Sequence, residues 1–254
     1  MLRSRPAMAR YPRATLAAAL LCLPAACSAE DGPRADTHAA LPELGLMGTI
    51  PLYWGEAETM AEQLSGEGTP HWARPRLEDS YSLRLLDTLS EKELAGLDFL
   101  LLAQPRALSG AENVALDAWV RGGGHLLLFA DPLLTGESRF GIGDRRRPQD
   151  VVLLSPILTH WGLELRFDMD QPAGFDLLAT SGAPVPVNLP GSLVAVGDGK
   201  CATLAEDVLA RCEIGAGSVV VLADAALLDM YEPHPAAGAA LEWLLGQGFA
   251  IHGK

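Results

Sequence analysis

Two aspartates follow similar apolar runs, and their type and spacing could do chemistry. The stretch GGGHLLLFADPLL, residues 122–134, reaches Asp131, and GAGSVVVLADAALL, residues 215–228, reaches Asp224. Carboxylates at neighbouring strand ends can share a proton or a metal ion, so the pair predicts a site of that kind, with Glu56 as a third candidate. The alternative is that each aspartate only accepts hydrogen bonds from the following turn. We favour that alternative and assign no catalytic residue and no metal, because no ordered set of ligands at short spacing accompanies the aspartates.

Other polar side chains could contact a ligand or a partner protein. Gln104 and Arg106 follow an apolar run, and Arg145, Arg146 and Arg147 lie together in a long loop. Such arginines could hold an anionic ligand or the acidic face of a partner. The alternative for the arginine run is a set of salt bridges within a solvated loop.

One strand-helix-strand unit positions the first aspartate. Residues 98–103 form an apolar run without polar alternation, which is typical of a strand buried on both faces of a parallel sheet. Ser109 and Glu112 fit a capping box and predict a helix start. Glycines 122–124 end that helix, and residues 125–130 form the next buried strand.

Alternating strands and helices predict an α/β fold for the rest of the chain. We expect a three-layer α/β sandwich with a mainly parallel, flavodoxin-like sheet and a small antiparallel β-hairpin insertion near the C-terminus. A strand is predicted at residues 48–54 and an amphipathic helix at residues 85–97. Residues 47–254 then form a single α/β domain, and residues 28–46 form a tether.

The first 27 residues predict export. They contain four arginines and then an apolar run, residues 14–26, which is typical of a signal peptide. The sequence LPAAC, residues 23–27, resembles the lipobox of bacterial lipoproteins, which predicts lipidation of Cys27 and a periplasmic protein anchored at a membrane surface. The alternative is ordinary cleavage after Ala29.

Charge and motif content exclude several classes of protein. The formal net charge is −13, and it would be −17 without the four arginines of the leader, so nucleic acid is excluded as a partner. No Gly-x-Ser-x-Gly turn follows a strand, and glycines 122–124 precede a strand rather than follow one. The sequence therefore predicts no cofactor and offers no nucleophile.

Two cysteines are spaced to face each other across a hairpin. In CATLAEDVLARC, a turn centred on residues 206–207 places Cys201 directly opposite Cys212. Directly opposed residues of a hairpin are close enough for a disulfide, and export supplies an oxidising compartment. We predict a structural disulfide; two free buried thiols are the alternative.

Several segments together resemble a known family. LDFLLLAQPR at residues 97–106, LDAWVRGGG at 116–124 and HWG at 160–162 are similar to the extracytoplasmic domain of GldG-like auxiliary proteins of ABC transporters. The resemblance implies a fold related to class I glutamine amidotransferases, with ABC transporter membrane subunits as partners. It also implies that Asp131 stands where the amidotransferase cysteine would be sought.

These observations lead to one main expectation and two alternatives. We expect a non-enzymatic extracytoplasmic binding or scaffold domain, auxiliary to an ABC-type transport or gliding-like system. The first alternative is a periplasmic metal-assisted hydrolase that uses the strand-end carboxylates. The second is a glycan-binding module in which Trp54, Trp72 and Trp161 provide stacking surfaces.

Overall fold

The computed structural model describes residues 41–57, 61, 69–229 and 231–249. All of them belong to one unit of the chain, Ala40–Lys254. The predicted leader, the lipidation site Cys27, the alternative cleavage site after Ala29 and the tether up to residue 40 lie outside the described residues. Among the described residues, no helix is both long enough and apolar enough to cross a membrane.

A seven-stranded sheet forms the centre of this unit. Its strands are β1 (Glu43–Gly48), β2 (Ser82–Leu85), β3 (Phe99–Ala103), β4 (His125–Phe129), β9 (Cys201–Leu204), β10 (Leu209–Ile214) and β11 (Gly217–Leu222). Their order is β2-β1-β3-β4-β11-β10-β9, and β10 alone runs antiparallel to both of its neighbours. The predicted α/β class with a mainly parallel sheet is confirmed, and the β9–β10 hairpin extends that sheet.

Two smaller sheets and the helices complete the unit. Strand β5 (Leu163–Arg166) pairs with β8 (Ser192–Ala195), and β6 (Phe175–Leu178) pairs with β7 (Val185–Asn188). The helices whose bounds the structure describes are α1 (Ala73–Glu78), α2 (Glu91–Leu94), α3 (Gly110–Arg121), α4 (Ser155–Trp161) and α5 (Ala237–Phe249), with a 3-10 turn at Ala226–Leu228. Helix α5 packs on β4 and β11, whereas α3 lies beside α2 and α4.

The β3-α3-β4 unit forms where the sequence predicts it. The side chain of Ser109 accepts a hydrogen bond from the Glu112 N–H at 3.3 Å, and the Glu112 carboxylate accepts one from the Ser109 N–H at 2.9 Å. This confirms the capping box. A glycine is required at position 124, because a Cβ there would lie 2.4 Å from the Trp119 ring.

Two predicted elements are wrong. The first strand covers Glu43–Gly48, so it includes residues 43–46 of the predicted tether, and of the strand predicted at residues 48–54 only residue 48 is in a strand. Pro51 lacks the N–H that a strand ladder needs, and a turn follows it. The helix predicted at residues 85–97 is reduced to α2, because Leu85 pairs with β1 as the last residue of β2.

Three parallel strands deliver polar residues to one edge of the sheet. Ala103, Phe129 and Leu222 are aligned across β3, β4 and β11. Gln104 follows β3 directly, and Asp131 and Asp224 each lie two residues beyond the end of their strands. Because carboxyl ends of parallel strands meet at the same edge, these side chains gather there, and we call this region the carboxyl edge.

Candidate functional site

Asp131 is fully buried at the carboxyl edge and is hydrogen-bonded through both carboxylate oxygens. Its Oδ1 accepts from the Leu133 N–H at 2.8 Å, and its Oδ2 accepts from the Ala225 N–H at 3.0 Å. Leu133 belongs to the turn after β4, and Ala225 belongs to the segment after β11. The carboxylate therefore ties together the ends of two neighbouring strands.

Asp224 has the same kind of environment. It is also fully buried; its Oδ1 accepts from the Ala226 N–H at 2.7 Å, and its Oδ2 accepts from the Asn188 N–H at 2.9 Å. Asn188 ends β7, so this carboxylate joins the small β6–β7 sheet to the central sheet. Both aspartates hold backbone segments, as the turn interpretation predicts.

The structure brings the two carboxyl groups close enough for the charge of Asp131 to oppose the ionisation of Asp224. Burial raises the pKa of the Asp131 carboxyl to about 7, against the lowering effect of its two backbone donors. Burial, and then the negative charge of Asp131, raise the pKa of Asp224 well above its usual range. This pair therefore takes up protons at a higher pH than exposed aspartates do.

Gln104 fastens β3 to the Asp131 segment. Its side-chain amide donates to the Asp131 carbonyl at 3.0 Å and to the Gln149 carbonyl at 2.9 Å, while its Oε1 accepts from the Asp131 N–H at 2.8 Å. The side chain is fully buried, and the backbone adopts a positive φ of 49°. Gln104 is therefore a structural clamp that closes the carboxyl edge; the sequence predicted it as a ligand contact.

Glu56 holds the long loop of residues 131–150 over the same edge. Its carboxylate accepts from the Ser138 hydroxyl at 2.6 Å, from the Arg139 N–H at 2.8 Å and from the Tyr231 hydroxyl at 2.8 Å. Tyr231 also accepts from the Arg139 side chain at 3.3 Å. The third carboxylate candidate thus fastens two loops, and only 8 % of it is exposed.

His71 is a buried polar residue that the sequence analysis does not single out. Its Nδ1 accepts from the Ala73 N–H at 3.1 Å, which leaves Nε2 to donate to the Leu228 carbonyl at 2.8 Å. Burial lowers the pKa of His71 to about 4, so the ring is neutral at physiological pH. No spacing signal marks this residue, because the Leu228 carbonyl that it contacts lies 157 residues away in the sequence.

Arg106 is occupied by an ion pair. Its guanidinium donates two hydrogen bonds to the Glu112 carboxylate, at 2.6 and 3.0 Å, and one to the Asp87 carbonyl at 3.0 Å. This guanidinium, together with the capping hydrogen bonds, holds the pKa of Glu112 well below its usual range. Arg106 therefore braces the start of α3, and the predicted ligand contact has a structural explanation.

The arginine run forms ion pairs within its own loop. Arg146 pairs with Asp144 at 2.8 Å and stacks on Phe140, and Arg147 pairs with Asp150 at 3.2 Å. Arg145 is exposed on the same loop. Two of the three predicted contact residues thus follow the salt-bridge alternative.

The hairpin has the predicted register. Cys201 lies directly opposite Cys212 in the β9–β10 pair, and their sulfurs form a disulfide with a Cα separation of 4.0 Å. Residues 205–207, which make the turn, all have positive φ. The bond joins the outermost strand of the central sheet to its neighbour.

The three tryptophans named for glycan stacking differ in access. Trp161 is 1 % exposed and donates to the Asp117 carboxylate at 2.9 Å, so its ring cannot stack on a sugar. Trp72 is partly buried and donates to the Asp229 carbonyl at 2.9 Å. Trp54 is 44 % exposed. A three-tryptophan stacking surface is therefore wrong.

The carboxyl edge has little room for a ligand. A cavity of about 20 Å³ lies beside Glu56, Leu134 and Ala225, which is space for about one water molecule. In the described part of the chain, no group of three or more His, Cys, Asp or Glu residues is arranged to hold a metal ion. The geometry therefore gives no support to a hydrolase that uses Asp131 and Asp224.

The fold and the filled edge define an α/β domain whose strand-end polar groups serve the structure. Residues 55–173 match the family described as ABC-type uncharacterized transport system. The resemblance to an auxiliary family of ABC transporters that the sequence predicts is thereby confirmed over this segment. A comparison with curated proteins gives no match.

Solved structures with a similar chain trace include an exo-β-1,4-mannosidase, Op5Man5, from Opitutaceae bacterium strain TAV5. It is 15% identical over 82% of this chain and 34% of that chain, with a TM-score of 0.42. A cold-adapted β-galactosidase from Rahnella sp. R3 is 12% identical over 83% of this chain and 31% of that one, with a TM-score of 0.45. This chain thus spans about a third of the length of these enzymes, and their named activities belong to those proteins.

A putative thuA-like protein from Bacteroides uniformis has a similar chain trace over almost its whole length. It is 10% identical over 86% of this chain and 98% of that chain, with a TM-score of 0.47.

Proposed function

We propose that the chain is a non-enzymatic, extracytoplasmic binding or scaffold domain that serves an ABC-type transport system. The observation that carries this proposal is the family match over residues 55–173, which runs from the Glu56 loop through β5. We further propose that the sheet is a flavodoxin-like variant whose ligand-binding edge has been filled.

The hydrogen bonds at the carboxyl edge support a role without catalysis. In an open parallel sheet, ligands bind outside the carboxyl ends of the strands. Here, both oxygens of Asp131 and both oxygens of Asp224 accept backbone hydrogen bonds, and Gln104 bonds to two carbonyls and an N–H. A substrate would have to break these bonds before it could reach either carboxylate.

The sequence of the leader supports the proposed location. Residues 1–27 have the charge and apolar pattern of an export signal, and LPAAC resembles a lipobox. A lipid on Cys27 would hold the domain at a membrane surface beside the membrane subunits of a transporter.

Cross-linking in intact cells tests the role. The tagged full-length chain should co-purify with a permease or ATPase subunit of an ABC transporter after cross-linking. A matched chain without residues 1–27 stays inside the cell and should recover neither subunit. If the full-length chain recovers no transporter subunit, the proposal is wrong.

Labelling tests the anchor separately. Radiolabelled palmitate should be incorporated into the full-length chain and not into Cys27→Ala, which should leave the membrane fraction. A Cys27→Ala protein that remains membrane-bound would contradict lipidation without touching the transporter role.

A further inference from the structure

A large, mainly apolar groove lies between α2 and α3. It shares no residue with the hydrogen-bonded network of Gln104, Asp131 and Asp224 at the carboxyl edge. Its volume is about 940 Å³, and its floor is made by the buried side chains of Leu94 and Leu97. The indole of Trp119 forms one wall and donates to the Leu97 carbonyl at 2.9 Å. The wall is therefore fixed in place and not collapsed into the groove.

Helix α3 has one more apolar face than a surface helix needs. Leu116 and Val120 point into the core, as expected for an amphipathic helix. Asn113, Asp117 and Arg121, four residues apart, form a polar face. If α3 faced only the core and water, its third face would be expected to carry polar side chains as well.

The remaining face of α3 is apolar, made of small residues and exposed except at Ala115, which is partly buried. It consists of Ala111, Val114, Ala115 and Ala118, which line the groove, and Val114 is 71 % exposed. Residues at this spacing form one stripe along a helix. Small side chains allow another helix backbone to approach closely, so the stripe suits a partner helix that carries larger apolar side chains.

The border of the groove on the α2 side is acidic. Glu91 and Glu112 line the groove, and Glu112 is paired with Arg106. Glu93 and Asp98 are the sequence neighbours of the lining residues Leu94 and Leu97. Lys92 is the one basic residue of α2. Arg84, which contacts the end of α2, is already paired with a carboxylate of β1. This excess of carboxylates favours a partner with basic residues at the edges of its apolar face.

We propose that the groove between α2 and α3 docks an amphipathic α-helix of a partner protein, with large aliphatic residues facing the groove and basic residues along its borders. The whole groove, residues 90–119, lies within the segment matched to the transport-system family. The inference rests on the proposed scaffold role, because it names the surface through which that role is exercised.

Binding of a designed peptide tests the groove. The probe is a fluorescent peptide of about 18 leucine and lysine residues with all leucines on one helical face, long enough to hold a helix when bound. A second peptide has the same composition with the leucines spread around the helix. Fluorescence anisotropy with the full-length protein should show micromolar binding of the first peptide and at least about tenfold weaker binding of the second.

Two variants locate the binding. Val114→Lys places a charge in the groove, and Ala118→Leu fills it without a change of charge; each should weaken the first peptide by at least about tenfold. The matched control is Ile142→Lys, which also replaces a branched aliphatic side chain by lysine. Ile142 is 92 % exposed and lies in a loop outside the groove. That control should bind like the wild type, and circular dichroism should show all three variants folded.

Three results would overturn the inference. They are equal binding of the two peptides, unchanged binding by Val114→Lys and Ala118→Leu, and a wild-type dimer in sedimentation that Val114→Lys converts to monomer. The last result would assign the groove to a second copy of the chain. A protein that recovers a transporter subunit by cross-linking but ignores the peptide would refute the groove alone, so the two proposals can fail separately.

Discussion

The carboxyl edge of the sheet and the groove between α2 and α3 differ in polarity and in access. At the edge, Asp131, Asp224 and Gln104 are fully buried, and each makes hydrogen bonds to backbone atoms. In the groove, the walls are apolar, and Val114 is 71 % exposed. The edge therefore has polar groups without space, and the groove has space between mainly apolar walls.

This difference separates residues that stabilise the fold from residues that are accessible to a partner. A buried polar group contributes little net stability when it is bonded and costs much when its partner is removed. An exposed apolar side chain contributes little to the fold and can contribute to an interface. Changes at the edge should therefore alter unfolding, and changes in the groove should alter binding.

The largest effect is expected for Gln104→Ala. The change leaves the Asp131 N–H without its side-chain acceptor in a buried position and opens a small cavity, so we expect a loss of about 3 kcal/mol in the free energy of unfolding. Urea unfolding at neutral pH measures it. Gln171→Ala is the matched control, because that partly exposed amide also donates to two carbonyls, at 3.0 Å each; it should cost under about 1 kcal/mol. Equal losses would contradict a specially closed edge.

The next effect is a pH dependence that Asp131→Asn should reduce. Because burial raises the folded-state pKa of Asp131 from 3.8 to about 7, its contribution to stability is full below the unfolded value and is lost as the pH rises through about 7. Relative to Asp131→Asn, the wild type should lose about 2 kcal/mol between pH 5 and pH 7. His71 contributes equally to both proteins. Asp224 loses in Asp131→Asn the neighbouring charge that helps to raise its pKa, which adds to the difference in the same direction.

Urea unfolding at several pH values gives this comparison. Asp168→Asn, an exposed aspartate of a surface loop, is the control and should run parallel to the wild type. Parallel curves for Asp131→Asn as well would show that the buried pair ionises like exposed aspartates.

A smaller effect is expected for Tyr231→Phe. It removes the hydroxyl that donates to Glu56 at 2.8 Å and accepts from Arg139 at 3.3 Å, so the loop over the edge loses one fastening. We expect a loss of about 1 kcal/mol in the free energy of unfolding. Tyr53→Phe keeps the ring on which Arg74 stacks at 3.7 Å and should change stability by under about 0.5 kcal/mol. Indistinguishable values for the two variants would argue against the loop fastening.

The smallest effect on stability is expected in the groove itself. Val114→Lys should change the free energy of unfolding by no more than about 0.5 kcal/mol, because the side chain is largely exposed and lysine is a good helix former. Thermal unfolding followed by circular dichroism measures it. A loss above about 2 kcal/mol would mean that the stripe is part of the core and that the contrast with the edge is wrong.

The sequence predicted the elements that place the two aspartates because their signals are local. Apolar runs without alternation predict β3, β4 and β11, and the capping box predicts the start of α3. The partners of Asp131 could not be predicted, because Gln104 and Ala225 lie 27 and 94 residues away and meet it only through the register of three strands. No local sequence pattern determines the register between strands that are far apart in the chain.

The misplaced first strand has a related cause. The segment ELGLMG contains two glycines, which lower its strand propensity, yet it forms a strand inside the sheet. The glycines are needed because neighbouring residues leave no room for a side chain. A Cβ at Gly45 would lie 2.7 Å from a methyl group of Leu97, and one at Gly48 would lie 2.0 Å from the Ala103 carbonyl oxygen. Those close approaches exist only in the folded sheet. The sequence does not predict the groove either, because its two walls come from separate helices, α2 and α3, that meet only in the fold.

The disulfide at the end of the sheet makes the outermost strand depend on the chemistry of its surroundings. An outer strand exposes unpaired backbone groups to other chains, and β9 pairs with β10 through four residue pairs and the Cys201–Cys212 bond. Where thiols stay reduced, that strand keeps only its short ladder; where they oxidise, it is covalently fastened. Alkylation of these two cysteines therefore records whether a molecule has met an oxidising compartment, and in an oxidised molecule β9 stays fastened over the edge of β10.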